Sequence, residues 1–435
     1  MNLRTSLLTL ALAAGASAQN NQNNPQRRQV SLKEALQLTA RQGPDVVAAR
    51  AQAAITQAGV RRAWTAWQPD VVATGTFDHT NATAVLPAGT FPGQTQPITI
   101  LAENSTYATF QISQPLLTPQ GLFGPSVAYA AADAANRGAD EAREQVLLST
   151  ARTYFGLQGL EGLLTAAQEA EKVALAREKD AQAQISAGTA VEISLLRAQT
   201  ETAAARVQIA NLEGQRDSLV PLLEALTGEP VLPTRAGSED LGKPAEESQQ
   251  PWEQAFSVKS AVSQVLASER AVRLSSFLWL PSVNGVAKEN YNSNGGFAEK
   301  NWTYDLILNI SVPLYDRGTR YAQGAEDRAR LSQAQANLAS ARAKARSAWL
   351  GNRANLVSAQ AAVQQSEIQA QLAARTQKQV DASYRAGVAT SLDLSDADQK
   401  KFLADSSLAQ AKTALETRKA ELAAAEGRLY STVAQ

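Results

Sequence analysis

Apolar and polar residues alternate with a period of two in four short segments, most clearly near residue 307. There Tyr304, Leu306, Leu308, Ile310 and Val312 alternate with residues that are mostly polar. This alternation predicts a β-strand over 302–313 with one apolar and one polar face. Weaker versions of the pattern predict three further strands, over about 70–80, 104–114 and 282–291.

Two much longer stretches, 119–227 and 317–430, are rich in the helix formers Ala, Gln, Leu and Glu. Each contains a Gly with small neighbours, Gly188 or Gly387, where a helical hairpin can reverse. Shorter helices are predicted over 31–64 and 252–277. Because the long arm of each hairpin spans roughly 105 Å of helix, we expect two shorter helices to stack end to end beside it in antiparallel coiled-coil packing.

The same order of elements occurs twice because the two halves of the chain are related in sequence. Trp67, Pro69 and Val71 match Trp279, Pro281 and Val283, and Ala187-Gly188 matches Ala386-Gly387. We therefore predict a first repeat over 31–227 and a second over 252–430. The Gly- and Pro-rich segment 228–251 is predicted to be an irregular linker between them.

The first 18 residues resemble a secretory signal peptide, with Arg4, an apolar run and Ala16-Ser17-Ala18 before Gln19. The Asn- and Gln-rich segment 19–30 is predicted to be a disordered leader. The apolar run is shorter than the roughly 20 residues that a membrane-spanning helix needs, and we identify no later candidate. We therefore expect an exported chain without a transmembrane helix.

Composition excludes several classes of function. Lys+Arg and Asp+Glu balance at 41 each, which argues against a nucleic-acid partner. The chain has no Cys and a single His, His79, so a disulfide framework, a metal site or a cofactor site is not expected. We find no phosphate-binding loop and no nucleophile–base motif, and we therefore expect no enzymatic activity.

The strands suggest contact with lipid. Trp302, Tyr304, Leu306, Leu308, Ile310 and Val312 would form an apolar face with aromatic residues at its rim, which suits a strand of a membrane barrel. A strand of a soluble β-sandwich is the alternative. Four strands cannot close a barrel, and open edges in lipid leave backbone groups unsatisfied. Three chains would supply twelve strands, with 81–103 and 292–301 as loops at the cell exterior.

Three segments resemble TolC-like outer-membrane factors: Trp279–Val283, Leu308–Gly318, and Ala382–Gly387 followed by Ser391-Leu392-Asp393-Leu394. The resemblance implies a mainly α fold with β-strands, assembled as a homotrimer in the outer membrane of a Gram-negative bacterium. A twelve-stranded β-barrel would continue into a periplasmic α-helical barrel. The implied function is the exit duct of a tripartite efflux pump or type I secretion system, with a periplasmic adaptor and an inner-membrane transporter as partners.

The resemblance also implies functional residues near the hairpin tips. Asp393 and Asp396 share a helix face and, with Tyr384, would line a constricted, cation-favouring entrance. A solvated acidic patch near a helix N-terminus is the alternative. Ala389 and Ser194 replace a basic and an acidic residue common in the family, which argues against a salt-bridged closed entrance. The implied adaptor contacts are Ala187, Gly188, Ala190, Ala386, Gly387 and Ala389.

Two other classes of protein share parts of this pattern. A secreted coiled-coil structural protein without a pore would explain the Ala-rich helices but not the alternating strands. A periplasmic adaptor would have one helical hairpin and not two complete copies. The sequence does not separate a duct for small molecules from one for secreted proteins.

Overall fold

The computed structural model describes residues 27–189, 191–234, 244–295 and 300–430. The predicted signal peptide, residues 19–26 of the predicted leader and Ala190 lie outside these ranges. Within them the chain forms long helices and a four-stranded sheet. None of the helices in those ranges is apolar enough over a sufficient length to cross a bilayer.

Two helices dominate the fold. Helix α3, Pro119–Ser186, has 68 residues, and helix α6, Thr319–Arg385, has 67 residues, so each is roughly 100 Å long. The helices in chain order are α1 Leu32–Gln42, α2 Pro44–Trp64, α3 Pro119–Ser186, α4 Glu192–Thr227, α5 Phe256–Ser276, α6 Thr319–Arg385 and α7 Ser391–Ala425. The helices α2 and α4 pack along α3, and α5 and α7 pack along α6. This is the stacking that the helix lengths predict.

The helices form one layer because α5 and α7 also pack against α3. The layer therefore has four positions. The stacked helices α2 and α4 occupy the first, α3 the second, the stacked helices α5 and α7 the third, and α6 the fourth. Small residues allow the close approach: a Cβ atom at Gly159 of α3 would lie 2.4 Å from Oγ1 of Thr413 in α7. In the described part of the chain, the two outer positions of the layer have no second long helix beside them.

The β-sheet is antiparallel and has the order β2-β5-β7-β8. Its strands are β2 Asp70–His79, β5 Asn104–Leu117, β7 Ser282–Asn292 and β8 Trp302–Ser311. The predicted bounds differ most at two strand ends. Strand β8 stops at Ser311, so Val312 lies outside it, next to Pro313, which has no N–H to donate. Strand β5 continues to Leu117 and does not end near residue 114. The predicted loop 81–103 contains a small hairpin of β3 Ala84–Leu86 and β4 Ile98–Leu101.

The predicted leader and linker each contain a strand, which corrects both predictions. Strand β1, Arg28–Val30, pairs in parallel with β6, Val231–Pro233. Val30 and Val231 are each 1% exposed, so this pair belongs to the core. Each strand is only three residues long, which is too short for a hydrophobic period to reveal it.

The predicted helix 31–64 is also interrupted. It divides into α1 and α2 at Gly43, whose missing Cβ would lie 2.6 Å from the carbonyl oxygen of Thr39. Pro44 follows, and a proline disfavours helical backbone at the residue before it. The break lets α1 turn inward and bury Leu32 and Leu36.

The largest hydrophobic cluster lies midway along the helical layer, where α1, α3, α4, α7 and the β1–β6 pair meet. Tyr154 and Phe155 of α3 are each 1% exposed, and the Tyr154 hydroxyl donates to the Val30 carbonyl at 3.0 Å. Burying each such side chain stabilises the fold by about 1.5–3 kcal/mol. The cluster thus ties both repeats to the N-terminal strand.

Candidate functional site

One face of the four-stranded sheet is apolar and exposed. Residues directly opposite each other in an antiparallel pair share a face, so the register assigns each side chain to one side. The exposed apolar positions include Phe77, Phe110, Tyr304, Leu306 and Leu308, with Tyr304 and Leu306 each 78% exposed. The face continues through Val71, Ala73, Ile112, Val283, Ala287, Trp302 and Ile310. Across these four strands, Glu289 is the one charged side chain on this face.

Aromatic residues gather at one end of the apolar face. The rings of Tyr291 and Trp302 lie 5.0 Å apart between their centroids, and Tyr304 follows on the same face of β8. An aromatic rim beside an apolar band is typical of strands that contact lipid. The structure thus places the predicted lipid-facing residues of β8 together on one exposed surface; Val312 follows the strand end and is 55% exposed.

The reverse face of the sheet is largely polar, with Val72, Val286 and Ile307 also on it, and its polar side chains form hydrogen bonds between strands. Asn284 donates to Ser113 at 3.0 Å, Thr109 donates to Asn290 at 3.3 Å, and Asn290 donates to Asp305 at 3.0 Å. Such a face can contact water. Because the two edge strands β2 and β8 pair on one side only within the described chain, the sheet is a segment with two open edges.

The two hairpin tips have the same backbone construction. Gly188 and Gly387 have φ angles of +75° and +76°, in the left-handed region that glycine adopts without strain. At each tip the glycine N–H donates at 2.9 Å to the backbone carbonyl oxygen three residues earlier, which belongs to Ile185 in the first tip and to Tyr384 in the second. A side chain at either glycine would meet open space. The tips expose Ala187 and Ala386 beside the glycines, whereas Ala389 is half-buried next to Val388, which is 83% exposed.

The two acidic residues predicted for the entrance lie on the exposed face of α7. Asp393 closes a capping box: its carboxylate accepts from the Thr390 hydroxyl at 2.6 Å and the Thr390 N–H at 2.9 Å. These hydrogen bonds hold the pKa of Asp393 below its ordinary value. Asp396 pairs with Lys400 at 2.6 Å. The motif is thus a helix cap followed by an ion pair.

Tyr384 lies in a different environment from these two aspartates. Its hydroxyl donates to Gln184 of α3 at 3.3 Å, and it lines a cavity between the two hairpins. Arg177, Leu392 and Asp398 line the same cavity, whereas Asp393 and Asp396 do not. Tyr384 therefore connects one hairpin to the other within the chain.

Sequence reasoning missed the ionic cluster around Arg177. Arg177 of α3 contacts Asp381 of α6 at 2.6 Å and Asp398 of α7 at 3.2 Å, and its side chain is only 15% exposed. Burial disfavours the charged guanidinium, but the hydrogen bonds and charges of Asp398 and Asp381 outweigh it and raise the pKa of Arg177. The three residues are far apart in sequence, and the helices are rich in charged residues, so no local signal marks them.

The family is decided by comparison with known proteins. The family model described as outer membrane efflux protein matches residues 35–229 and 248–428. The chain belongs to the outer membrane efflux protein family. The two matched segments correspond to the two repeats, and together they cover most of the chain. A search of curated proteins gives no match.

Solved structures with the same fold are outer-membrane proteins. VceC of Vibrio cholerae has a TM-score of 0.75 at 16% identity, with 91% of this chain and 96% of that chain covered. The CmeC outer membrane channel of Campylobacter jejuni has a TM-score of 0.76 at 15% identity, with 91% of this chain and 85% of that chain covered. The open state of the MtrE outer membrane channel of Neisseria gonorrhoeae has a TM-score of 0.76 at 16% identity, with 91% of this chain and 88% of that chain covered. The fold, mainly helical with a sheet, is that of outer-membrane channels and not of enzymes.

Proposed function

We propose that this protein is a passive exit channel in the outer membrane of a Gram-negative bacterium, assembled from three copies. The observation that carries the proposal is the four-stranded sheet with an exposed apolar face, a polar reverse face and two open edges. In lipid, backbone groups at open edges must be paired, and closure of the sheet is the solution available to β-structure. Three copies supply twelve strands.

The helical layer supports association with neighbouring copies. Its outer helices expose apolar side chains that no described segment covers: Val207 of α4 is 61% exposed, Val357 of α6 is 62% exposed and Leu372 of α6 is 56% exposed. Pairing α4 with α6 of a neighbouring copy would close a barrel of helices.

We infer the direction of the channel from the family resemblance. The sheet lies in the outer membrane, with residues 81–103 and 292–301 outside the cell. The helical layer extends into the periplasm and ends at the tips around Gly188 and Gly387. A periplasmic adaptor would contact Ala187, Gly188, Ala190, Ala386, Gly387 and Ala389, and an inner-membrane transporter would supply the energy.

At the periplasmic entrance, Asp393 and Asp396 would form rings of three carboxylates. Such rings favour cations and oppose anions at a constriction. Lys400 offsets part of the charge of Asp396 through its ion pair, so Asp393 is the stronger determinant of selectivity. Tyr384 contributes by joining the hairpins that surround the entrance and not by supplying charge.

The first test is single-channel conductance of the protein purified in detergent, with its oligomeric mass measured on the same sample. We expect a trimer that inserts into planar bilayers and forms cation-selective pores. A monomer that never inserts would contradict the proposal and favour a coiled-coil protein without a pore. A trimer that is fully periplasmic after cell fractionation would contradict the membrane location alone.

A further inference from the structure

A short segment that follows α7, Gly427–Tyr430, packs onto the middle of α3, and we call it the 427–430 segment. It begins with a left-handed turn: Gly427 has a φ angle of +64°, and its N–H and that of Arg428 donate to carbonyl oxygens in the last turn of α7 at 2.9 Å. This pair of hydrogen bonds is a Schellman motif, which fixes the direction of the chain after a helix. The turn directs Leu429 into the largest hydrophobic cluster, where it is 0% exposed.

Glu144 of α3 receives the backbone of this segment. One carboxylate oxygen accepts the Leu429 N–H at 3.2 Å, and the other accepts the Tyr430 N–H at 3.1 Å. Glu144 is only 6% exposed, so its carboxyl group is largely removed from water. On the other side of the segment, a Cβ atom at Gly427 would lie 2.6 Å from the carbonyl oxygen of Gln254. The segment is therefore held between α3 and the residues that lead into α5.

The cations near Glu144 compensate its ionised form incompletely. Arg143 is adjacent on α3, but its guanidinium pairs with Asp140 at 2.7 Å and lies 3.5 Å from the centroid of the Tyr430 ring. Lys259 of α5 favours the ionised form through its charge. Burial outweighs both cations and the two N–H groups, and it raises the pKa of Glu144 to about 7. Docking of the segment therefore favours the protonated carboxyl group.

We propose that the 427–430 segment is a pH-sensitive clasp, which stays docked on α3 while Glu144 is protonated and is released when Glu144 is ionised. Release would uncover Leu429 and the part of the hydrophobic cluster that it covers. The inference goes beyond the proposed channel function, because it concerns contacts within one chain and does not require a pore.

The sign of the pH dependence follows from linkage. Release returns Glu144 to water, where a carboxyl group has its ordinary, lower pKa, so the released state loses its proton more readily. Docking is therefore strongest below about pH 4.5 and weakens as the pH rises to about 7. Between about pH 5 and pH 8 the ratio of released to docked molecules should rise on the order of 50- to 100-fold.

Amide hydrogen exchange of the full chain in detergent can measure this ratio. The exchange rates of the Leu429 and Tyr430 amides are compared at each pH with those of the same peptide from the unfolded chain, which removes the intrinsic effect of pH on exchange. Protection then reports the opening equilibrium. The amides of β1, Arg28–Val30, serve as the internal reference, because this strand contributes to the same hydrophobic cluster.

In the wild-type protein we expect the protection of the Leu429 and Tyr430 amides to fall on the order of 50- to 100-fold between about pH 5 and pH 8. It should also stay below that of the β1 amides at each pH, because the segment can open without the rest of the cluster. Equal protection of the two regions at every pH would mean that the segment opens only with the whole fold, and would overturn the inference.

Two variants on α3 separate the role of Glu144 from a general effect of charge. Glu144→Gln does not titrate, so the protection of the segment should become independent of pH. Glu141→Gln removes a half-buried carboxyl group one turn earlier on the same helix, and it should keep the wild-type dependence. Persistence of the dependence in Glu144→Gln, or its loss in Glu141→Gln, would overturn the inference.

A third variant keeps the test valid if Glu144→Gln does not fold. Leu429→Ala removes apolar contacts of the segment and leaves Glu144 in place, so it should lower the protection at every pH while keeping the same dependence on pH. Protection that does not vary with pH in the wild-type protein and in Leu429→Ala would overturn the inference. These outcomes are the same whether or not the protein forms a pore, so failure of the channel proposal would be recognised separately by conductance.

Discussion

Thr390 and Asp393 bind each other reciprocally at the start of α7: the Thr390 hydroxyl and N–H donate to the Asp393 carboxylate, and the Asp393 N–H donates to the Thr390 hydroxyl at 3.2 Å. One carboxylate thus completes a helix cap and also carries exposed negative charge beside the tip. The two roles can be separated because the first needs an acceptor oxygen and the second needs a charge.

We predict that Asp393→Asn lowers the cation preference of the pore and leaves thermal stability nearly unchanged, because the Asn oxygen can still accept from Thr390. Thr390→Val should do the opposite: it removes a cap hydroxyl, lowers the melting temperature and leaves selectivity intact. Reversal potentials in a salt gradient and thermal melts on the same samples measure both quantities. Equal loss of selectivity in Thr390→Val would contradict the role of the charge.

The selectivity contributed by Asp393 should also resist acid. Since hydrogen bonds from Thr390 hold its pKa below the ordinary carboxyl value, Asp393 becomes protonated at a lower pH than an ordinary Asp. We expect Asp396→Asn pores, whose selectivity depends on Asp393, to lose their cation preference at a pH below the ordinary Asp pKa. Loss of the preference at the ordinary Asp pKa would show that the cap does not hold in the assembled pore.

The two faces of β8 provide a test of the lipid contact. Leu306→Arg places a charge on the exposed apolar face, which costs about 2–4 kcal/mol at the middle of a bilayer. We expect the variant to be lost from the outer-membrane fraction or to assemble poorly in lipid vesicles. Asn309→Arg, on the opposite face of the same strand, should insert normally and shift selectivity toward anions. Similar insertion of both variants would argue that β8 does not face lipid.

Sequence patterns predict this fold well wherever an element is long and periodic. The strand at 302–313, the helical hairpins and their reversals at Gly188 and Gly387 are visible because duplication repeats each signal in the second half. Very short strands are missed. The β1–β6 pair has too few residues for a period, and its partners are separated by about 200 residues of sequence.

The candidate site is less predictable than the fold. A motif identifies Asp393 and Asp396, but only the folded structure reveals that Asp393 caps α7 and that Asp396 pairs with Lys400. The cluster of Arg177, Asp381 and Asp398 depends on how α3 packs against α6 and α7. Helices of this kind carry many charged residues, and sequence spacing does not determine which of them meet across a helix–helix interface.

Glu144 gives the clearest pH dependence of stability. Its carboxylate is buried on α3 and accepts the N–H groups of Leu429 and Tyr430 at 3.2 and 3.1 Å. Burial outweighs these hydrogen bonds and raises the pKa of Glu144 from 4.5 to about 7. Because the folded state binds this proton more tightly than the unfolded state, its contribution to stability is present below about pH 4.5 and is lost as the pH rises to about 7.

We predict that Glu144→Gln removes this dependence, since Gln does not titrate and its one amide oxygen can still accept an N–H. The difference between the unfolding free energies of the variant and the wild type should change by about 3 kcal/mol across that pH range. Denaturant unfolding at a series of pH values measures it, and taking the difference cancels the titration of other groups such as Glu421. Parallel pH profiles would mean that Glu144 titrates normally in the folded protein.

Trp349 and Glu426 form a buried contact that connects the second repeat to the linker. The indole N–H donates to Glu426 at 3.0 Å, and the same carboxylate oxygen accepts the Ala245 N–H at 3.0 Å, while Trp349 and Glu426 are 0% and 3% exposed. Trp349→Phe leaves a buried carboxylate short of one donor, which costs about 1–3 kcal/mol. Trp302→Phe, at an exposed position on β8, is the matched control and should change stability little.

We also expect faster amide hydrogen exchange near Ala245 in Trp349→Phe, because the Glu426 carboxylate that accepts this N–H loses its hydrogen bond from the indole. Unchanged exchange at Ala245, together with a lowered melting temperature, would show that Trp349 stabilises the helices alone and that the linker is held by Glu426 independently.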